Sequence, residues 1–324
     1  MNRIPLLSAV NLRKQFKVAQ QNHSRRLLTA VDAVSLELLQ GETLGIAGES
    51  GCGKSTLAKI MAGLLPPDAG SVYYNGKALS DLEQSEQTQF RRKTQMIFQD
   101  PFSSLNPRMR IGDSISEPLT IAGVSAELQR AELARIMTAV GLSGEVANRF
   151  PDEFSGGQRQ RIGIARALAA HPEILIADEP VSSLDISIQA QIINILLQMK
   201  HDFSLSMMIV SHNLLVLRHI CDRIIIMYLG AIVESGPAAE IFHRCRHPYT
   251  EALIAAIPGM QRVGSSGSEL LRDDLPSALA IPTGCRFHPR CRYACERCRL
   301  EAPQMVEYAD GQSAACHLSE QLYS

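Results

Sequence analysis

The sequence predicts an α/β fold built on a mainly parallel sheet, with a helical insertion and a small cysteine-rich tail. Three observations predict it. Short apolar runs of strand length alternate with longer stretches of helical periodicity. A glycine-rich turn joins the first such run directly to a helix, as in open sheets that bind ligands at strand ends. No repeat of roughly 20–50 residues and no low-complexity tract breaks the first 260 residues.

In chain order, strands are expected at Thr43–Gly48, Gln95–Gln99, Ile174–Asp178, Ser206–Ser211 and Arg223–Tyr228. Helices are expected at Lys54–Gly63, Gly156–Ala170, Ile186–His201 and Asn213–Ile220. Between the second and third strands, Ile111–Gly141 carries apolar residues at three- and four-residue spacing, a helical insertion. Composition changes after Pro258, and Gly264–Gly267 reads as a flexible break. The expected division is residues 1–258, with a helical subdomain at about 100–165, and a tail at 259–324.

Composition narrows the function classes. The chain has 324 residues, room for one large domain and an appendage at about 150 residues per domain. Its 32 basic and 33 acidic residues leave a net charge of −1. The basic surplus behind a sequence-independent grip on nucleic acid is missing, so no nucleic-acid partner is expected. Hydrophobic residues at 45% and charged ones at 20% exclude wholesale disorder. No apolar run approaches the ~18–20 residues that cross a bilayer. Met1–Leu7 lacks the apolar core and cleavage site of a secretory signal, so the chain is expected to stay in the cytoplasm.

Gly48-Glu49-Ser50-Gly51-Cys52-Gly53-Lys54-Ser55-Thr56 fits G-x-x-x-x-G-K-[ST] between an apolar strand and a helix. The glycines let backbone N–H groups turn inward around phosphate oxygens, and the helix points its positive end at them. Lys54 suits the β- and γ-phosphates, and the Ser55 hydroxyl suits Mg2+. A second half-site is expected after the apolar run Ile174–Ala177, where Asp178 would hold Mg2+ through water and Glu179 would polarise the attacking water.

Phe154-Ser155-Gly156-Gly157-Gln158 opens an Arg-rich helix 20 residues before Asp178. It closely resembles the signature motif of ATP-binding cassette (ABC) proteins, with Phe154 in place of the usual Leu. Other landmarks follow in order: Gln99 resembles the Q-loop glutamine, Ser183-Leu184-Asp185 the D-loop, His212 the switch histidine, and Phe16 the adenine-stacking aromatic. The resemblance implies an ABC-type P-loop NTPase with a RecA-like core, ATP and Mg2+ as cofactors, and Gln99, Glu179 and His212 as catalytic residues. It assigns Ser55, Gln99 and Asp178 to Mg2+. It also implies that Ser155, Gly156, Gly157, Gln158 and Asp185 face a nucleotide held by a second cassette, head to tail.

The subfamily is narrower. His247-Pro248-Tyr249-Thr250-Glu251-Ala252-Leu253 resembles the segment that follows the cassette in oligopeptide, dipeptide and nickel importers. Gln99–Pro107, Leu275-Pro276-Ser277 and Gly284–Cys291 resemble the same group. The resemblance implies an importer ATPase, peripheral on the inner face of the cytoplasmic membrane. It implies four kinds of partner: a second ATPase subunit, usually a different chain, two transmembrane permease subunits and an extracytoplasmic substrate-binding protein. Peptides are the expected cargo, with nickel or a metal chelate next and glutathione third. A soluble cassette ATPase acting on ribosomes or DNA is the alternative class. One uninterrupted cassette speaks against it, since those types carry two cassettes or long coiled coils. The segment from Gln99 through the helical insertion to Gly141 is expected to dock the permease, with Phe102, Leu105 and Met109 as apolar loop residues beside Arg108 and Arg110. Core packing is the alternative reading of those apolar residues.

Five of the eight cysteines, Cys285, Cys291, Cys295, Cys298 and Cys316, fall in the last 40 residues. Cys285, Cys291, Cys298 and Cys316 match the four family positions, and some members carry an iron–sulfur cluster there. A [4Fe–4S] cluster is expected ahead of zinc, and four reduced buried thiols are the plain alternative. Large apolar residues are few in the tail, which suggests that a metal supplies its folding energy. Lying far along the chain from every phosphate motif, the tail is expected to leave ATP affinity alone. Cys52 and Cys221 read as small core residues, and Cys245, between Arg244 and Arg246, as surface.

Overall fold

The computed structural model describes residues 4–19, 25–100, 105–182, 184–257, 259 and 278–323. Phe102, Ser183, Gly264–Gly267 and Leu275-Pro276-Ser277 lie outside the described residues. The elements begin with β1 (Leu7–Ala19), β2 (Arg25–Leu38), β3 (Thr43–Ala47), α1 (Lys54–Met61), β4 (Ala69–Tyr74), β5 (Lys77–Ala78), α2 (Gln84–Lys93) and β6 (Thr94–Ile97). Next come α3 (Ile111–Ile121), α4 (Ala126–Ala139), α5 (Gly156–Ala169), β7 (Ile174–Asp178), α6 (Ile186–Asp202) and β8 (Ser206–Ser211). After them run α7 (Leu214–Ile220), β9 (Arg223–Tyr228), β10 (Ala231–Pro237), α8 (Ala238–His243) and α9 (Pro248–Ala255). The tail holds α10 (Glu296–Leu300), β11 (Val306–Glu307), β12 (Ser313–Ala314) and α11 (Ser319–Tyr323).

The chain forms two compact units. One comprises residues 1–6, 38–43 and 74–210, the other 7–37, 44–73 and 211–324. The tail therefore shares a unit with the phosphate loop.

In the first unit β6, β7 and β8 pair in parallel, Thr94 opposite Ile174 and Ile174 opposite Ser206. All residues of β7 and β8 are buried, so both read as continuous apolar runs. The strand expected at Gln95–Gln99 stops at Ile97, and Phe98 and Gln99 run on exposed. The insertion is two helices, since Gly123, at φ 71°, ends α3. Its N–H donates to Thr120 O (3.0 Å), and the Val124 N–H donates to Leu119 O (3.0 Å), a Schellman turn. α3 and α4 pack on α5, and Arg166 of α5 pairs with Glu117 of α3 at 2.7 Å.

In the second unit β2, β1 and β4 are neighbours in one sheet. Elsewhere β3 pairs parallel with β9, and β9 antiparallel with β10. These half-exposed, partly polar strands β1 and β2 carry no continuous apolar run and escaped the sequence reading. A bulge between Ile232 and Glu234 turns the Glu234 side chain into the interior. There its carboxylate accepts the backbone N–H groups of Arg246 and His247. Cys245, expected at the surface, is 3% exposed. The flanking charges misled, because Arg246 is itself buried and paired with Asp310 and Gln312.

The tail joins this unit through antiparallel pairing of β12 with β10, Ala314 opposite Glu234. Phe287, 2% exposed, packs its ring 5.3 Å from both Tyr228 and Tyr249 and 5.9 Å from His247. Arg286 binds Asp32 and the Leu229 carbonyl. Borrowed packing thus supplies what the tail's few apolar residues cannot. No described helix is long and apolar enough to cross a membrane.

Candidate phosphate and carboxylate sites

The strand β3 delivers the chain into the loop Gly48–Gly53, and α1 begins at Lys54. Gly53 caps that helix at φ 106°, a left-handed conformation. A Cβ there would lie 1.9 Å from the Ala30 carbonyl oxygen, so no side chain fits. Gly53 also brings no capping side chain, and the first turn of α1 has no acidic residue. The start of α1 thus carries no negative side chain of its own to compete with an anion.

Lys54 is 4% exposed, and its Nζ donates to the carbonyls of Gly48 (2.8 Å) and Glu49 (2.9 Å). The ammonium is therefore held within the loop it serves. Ser55 and Thr56 follow half-buried, while Ser50 and Gly51 are exposed. Cys52 is buried as expected, and that burial raises its thiol pKa, which keeps it unreactive. Phe16, on β1, is 38% exposed, with the Lys14 ammonium 6.0 Å from its ring centre. His212 follows β8, exposed, just before Asn213 caps α7 by accepting the Leu215 N–H at 3.0 Å.

In the first unit Asp178 ends β7 at 3% exposure. Glu179 follows at φ 47°, rare for a residue with a side chain, and its N–H donates to Val210 O at 2.9 Å. Its carboxylate accepts the Gln99 amide at 3.3 Å across 80 residues of sequence. Gln99 and Glu179, each expected as a catalytic residue, are in contact.

The signature segment behaves as a capped helix start. Ser155 Oγ accepts the Gln158 N–H, and Gln158 Oε1 accepts the Ser155 N–H at 3.0 Å. Gly157 has no room for a Cβ, which would meet Ile188 at 2.5 Å. Phe154, in the place of Leu, is buried at 6%. Asp185 sits exposed at the N-cap of α6 without a side-chain capping bond, and Ile186 beside it is 85% exposed. Of the residues expected to dock a permease, Leu105 is core at 5% and Arg110 binds the Asn148 carbonyl at 2.7 Å.

The metal expectation for the tail fails. Among the described residues, no group of three or more His, Cys, Asp or Glu side chains is placed to hold a metal ion. This excludes the cluster expected on Cys285, Cys291, Cys298 and Cys316, as iron–sulfur or zinc. Burial pushes the Cys291 thiol up to about 11 and the Cys316 thiol up to about 12. Cys295 Sγ instead lies 3.5 Å from Cys298 Sγ.

Sequence reasoning missed two residues. Tyr249 Oη accepts the Glu49 N–H at 2.9 Å, and Arg290 grips the Glu49 carboxylate at 2.7 and 3.0 Å. Both stand in motifs the sequence displayed, but with no partner marked. The tail, far along the chain, reaches the phosphate loop.

Known proteins match along most of the chain. The ABC transporter family model matches residues 31–182, and a model described as the oligopeptide/dipeptide transporter C-terminal region matches residues 233–298. A probable peptide ABC transporter ATP-binding protein, y4tS of Sinorhizobium fredii, is 47% identical over 90% of this chain and 83% of its own. The di/tripeptide transport ATP-binding protein DppF of Pseudomonas aeruginosa is 42% identical over 98% of each chain. A dimeric structure of the ATP-binding cassette MJ0796 bound to ADP and Pi matches with a TM-score of 0.64 at 30% identity, covering 72% of this chain and 98% of that one.

Proposed function

Because this chain belongs to the ATP-binding subunits of the peptide, oligopeptide and nickel ABC importers, we propose that its sequence-marked residues perform that family's ATP chemistry. The chain is the ATP-hydrolysing subunit of an ABC peptide importer, with a RecA-like core and a helical subdomain. In our reading Lys54 and the N–H groups of the loop and α1 hold the triphosphate, and Phe16 stacks on adenine. Glu179 accepts the proton of the attacking water, Gln99 orients that carboxylate, and His212 supports the γ-phosphate.

By the family's pattern Ser55, Gln99 and Asp178 would hold a Mg2+ arriving with the nucleotide, and its charge would offset that of the phosphates. A hydroxyl, an amide and a single carboxylate suit an ion that keeps phosphate and water ligands. The observation that carries this reading is the Gln99–Glu179 contact at 3.3 Å, with Glu179 held left-handed at the strand end. Active sites are where such strained backbone collects.

A second cassette is the natural partner, because MJ0796 is described as dimeric. Asp185, free of capping duty, and exposed Ile186 support a subunit seated against that corner. Two permease subunits and an extracytoplasmic binding protein would complete the importer, with this chain on the inner face of the membrane. Exposed Ile121, at the end of α3, is a better permease contact than buried Leu105. Peptides are the cargo that the names of the relatives favour.

Glu179→Gln in the assembled importer should stop ATP turnover, ~100-fold or more, and preserve ATP binding. Hydrolysis near the wild-type rate would remove Glu179 from the catalytic role.

A further inference from the structure

Glu49 places a carboxylate inside a loop built for anions, the wrong sign for a neighbour of phosphate. The second unit holds that residue at three points. Lys54 Nζ takes its carbonyl at 2.9 Å, Tyr249 Oη takes its N–H at 2.9 Å, and Arg290 takes both carboxylate oxygens at 2.7 and 3.0 Å. The last two come from the region beyond β10. The Arg290 side chain is 4% exposed and lies 5.9 Å from the Tyr228 ring centre, its fork closed on Glu49. Its Nε–H is buried without a hydrogen-bond partner among the described residues. Its Nη1 also donates to the Tyr228 hydroxyl at 3.4 Å, so the side chain joins Glu49 to the aromatic cluster behind it.

The packing behind it is rigid. Tyr228 and Tyr249 are fully buried, with ring centres 4.6 Å apart, and Phe287, three residues before Arg290, closes the cluster. A planar fork on a carboxylate fixes orientation as well as charge, which a lysine could not do.

We propose that Arg290 is a positioning residue for the phosphate loop: it neutralises and orients Glu49, so that the state of the C-terminal tail sets the affinity of the loop for ATP. The inference rests on the phosphate-loop reading given above. Loss of Arg290 leaves Glu49 free to repel the triphosphate and to swing, and the cost falls on binding rather than on the chemical step.

The test uses the full chain titrated with a fluorescent ATP analogue, and the assembled importer for kinetics. Arg290→Gln should weaken nucleotide binding about tenfold, the effect of losing a charge-assisted pair, and should raise KM for ATP with little change in kcat. Glu49→Gln combined with Arg290→Gln should recover most of that loss, because no unbalanced carboxylate remains. A purely structural tail contact predicts no recovery. Unchanged affinity in Arg290→Gln, or a double variant as weak as the single, would overturn the proposal. If Arg290→Gln does not fold, Arg290→Lys takes its place: it keeps the charge and loses the fork, so a smaller loss of affinity is expected, and unchanged affinity would overturn the proposal. Lys54→Ala separates the two levels: if it leaves affinity intact, the phosphate-loop assignment itself has failed.

Discussion

Glu179 shows how much one residue can carry that its identity does not reveal. A carboxylate after an apolar strand is common, and only its backbone at φ 47° sets it apart. A side chain in that left-handed region costs roughly 1 kcal/mol, which glycine escapes. Glu179→Gly should therefore be more stable than Glu179→Ala by about 1 kcal/mol in urea unfolding, while both lack turnover. Equal stability would mean that the turn relaxes freely. Gln99, 80 residues away in sequence, was legible as a candidate, and its contact with Glu179 was not.

At the scale of the element, α9 shows a motif acting through a buried cap. His247 is its N-cap, and Nδ1 accepts the Tyr249 N–H at 3.0 Å. Burial lowers the His247 pKa to about 3, so the imidazole stays neutral in the fold. The sign follows from linkage. Below the ordinary histidine value of about 6.5, the unfolded chain binds a proton that the folded one refuses. Stability therefore falls as pH drops from there towards about 3, by at most ~1.4 kcal/mol per pH unit. Glu234, raised to about 7 by burial, acts in the opposite direction between its ordinary value and 7. The effect of His247 is accordingly read as a difference. His247→Asn keeps a capping acceptor and should flatten the acid limb relative to wild type in unfolding measured from pH 7 to 4. An unchanged limb would show that His247 is protonated in the fold.

At the scale of the molecule, the tail is held by packing and pairing. Phe287→Ala should cost about 3–5 kcal/mol if the unit unfolds as one, and should open the tail to limited proteolysis. Exhaustive treatment with chelators should leave the thermal midpoint where it was, because Phe287, Arg286 and the β12–β10 pairing need no metal. A midpoint that falls on chelation would mean that metal, not the Tyr228–Phe287–Tyr249 cluster, carries the tail.

By itself, the sequence determined what depends on neighbours along the chain. The buried strands β7, β8 and β9 are continuous apolar runs, the phosphate loop is a contiguous pattern, and Ser155 with Gln158 spells its own helix cap. Tertiary structure alone decided what joins residues far apart. It buried Cys245 beside a paired Arg246 and kept the tail thiols from forming a metal site. It also brought Arg290 to Glu49 across 241 residues. Periodicity and spacing encode local geometry, whereas the meeting of distant side chains is fixed by strand pairing and core packing, which no single stretch of sequence contains.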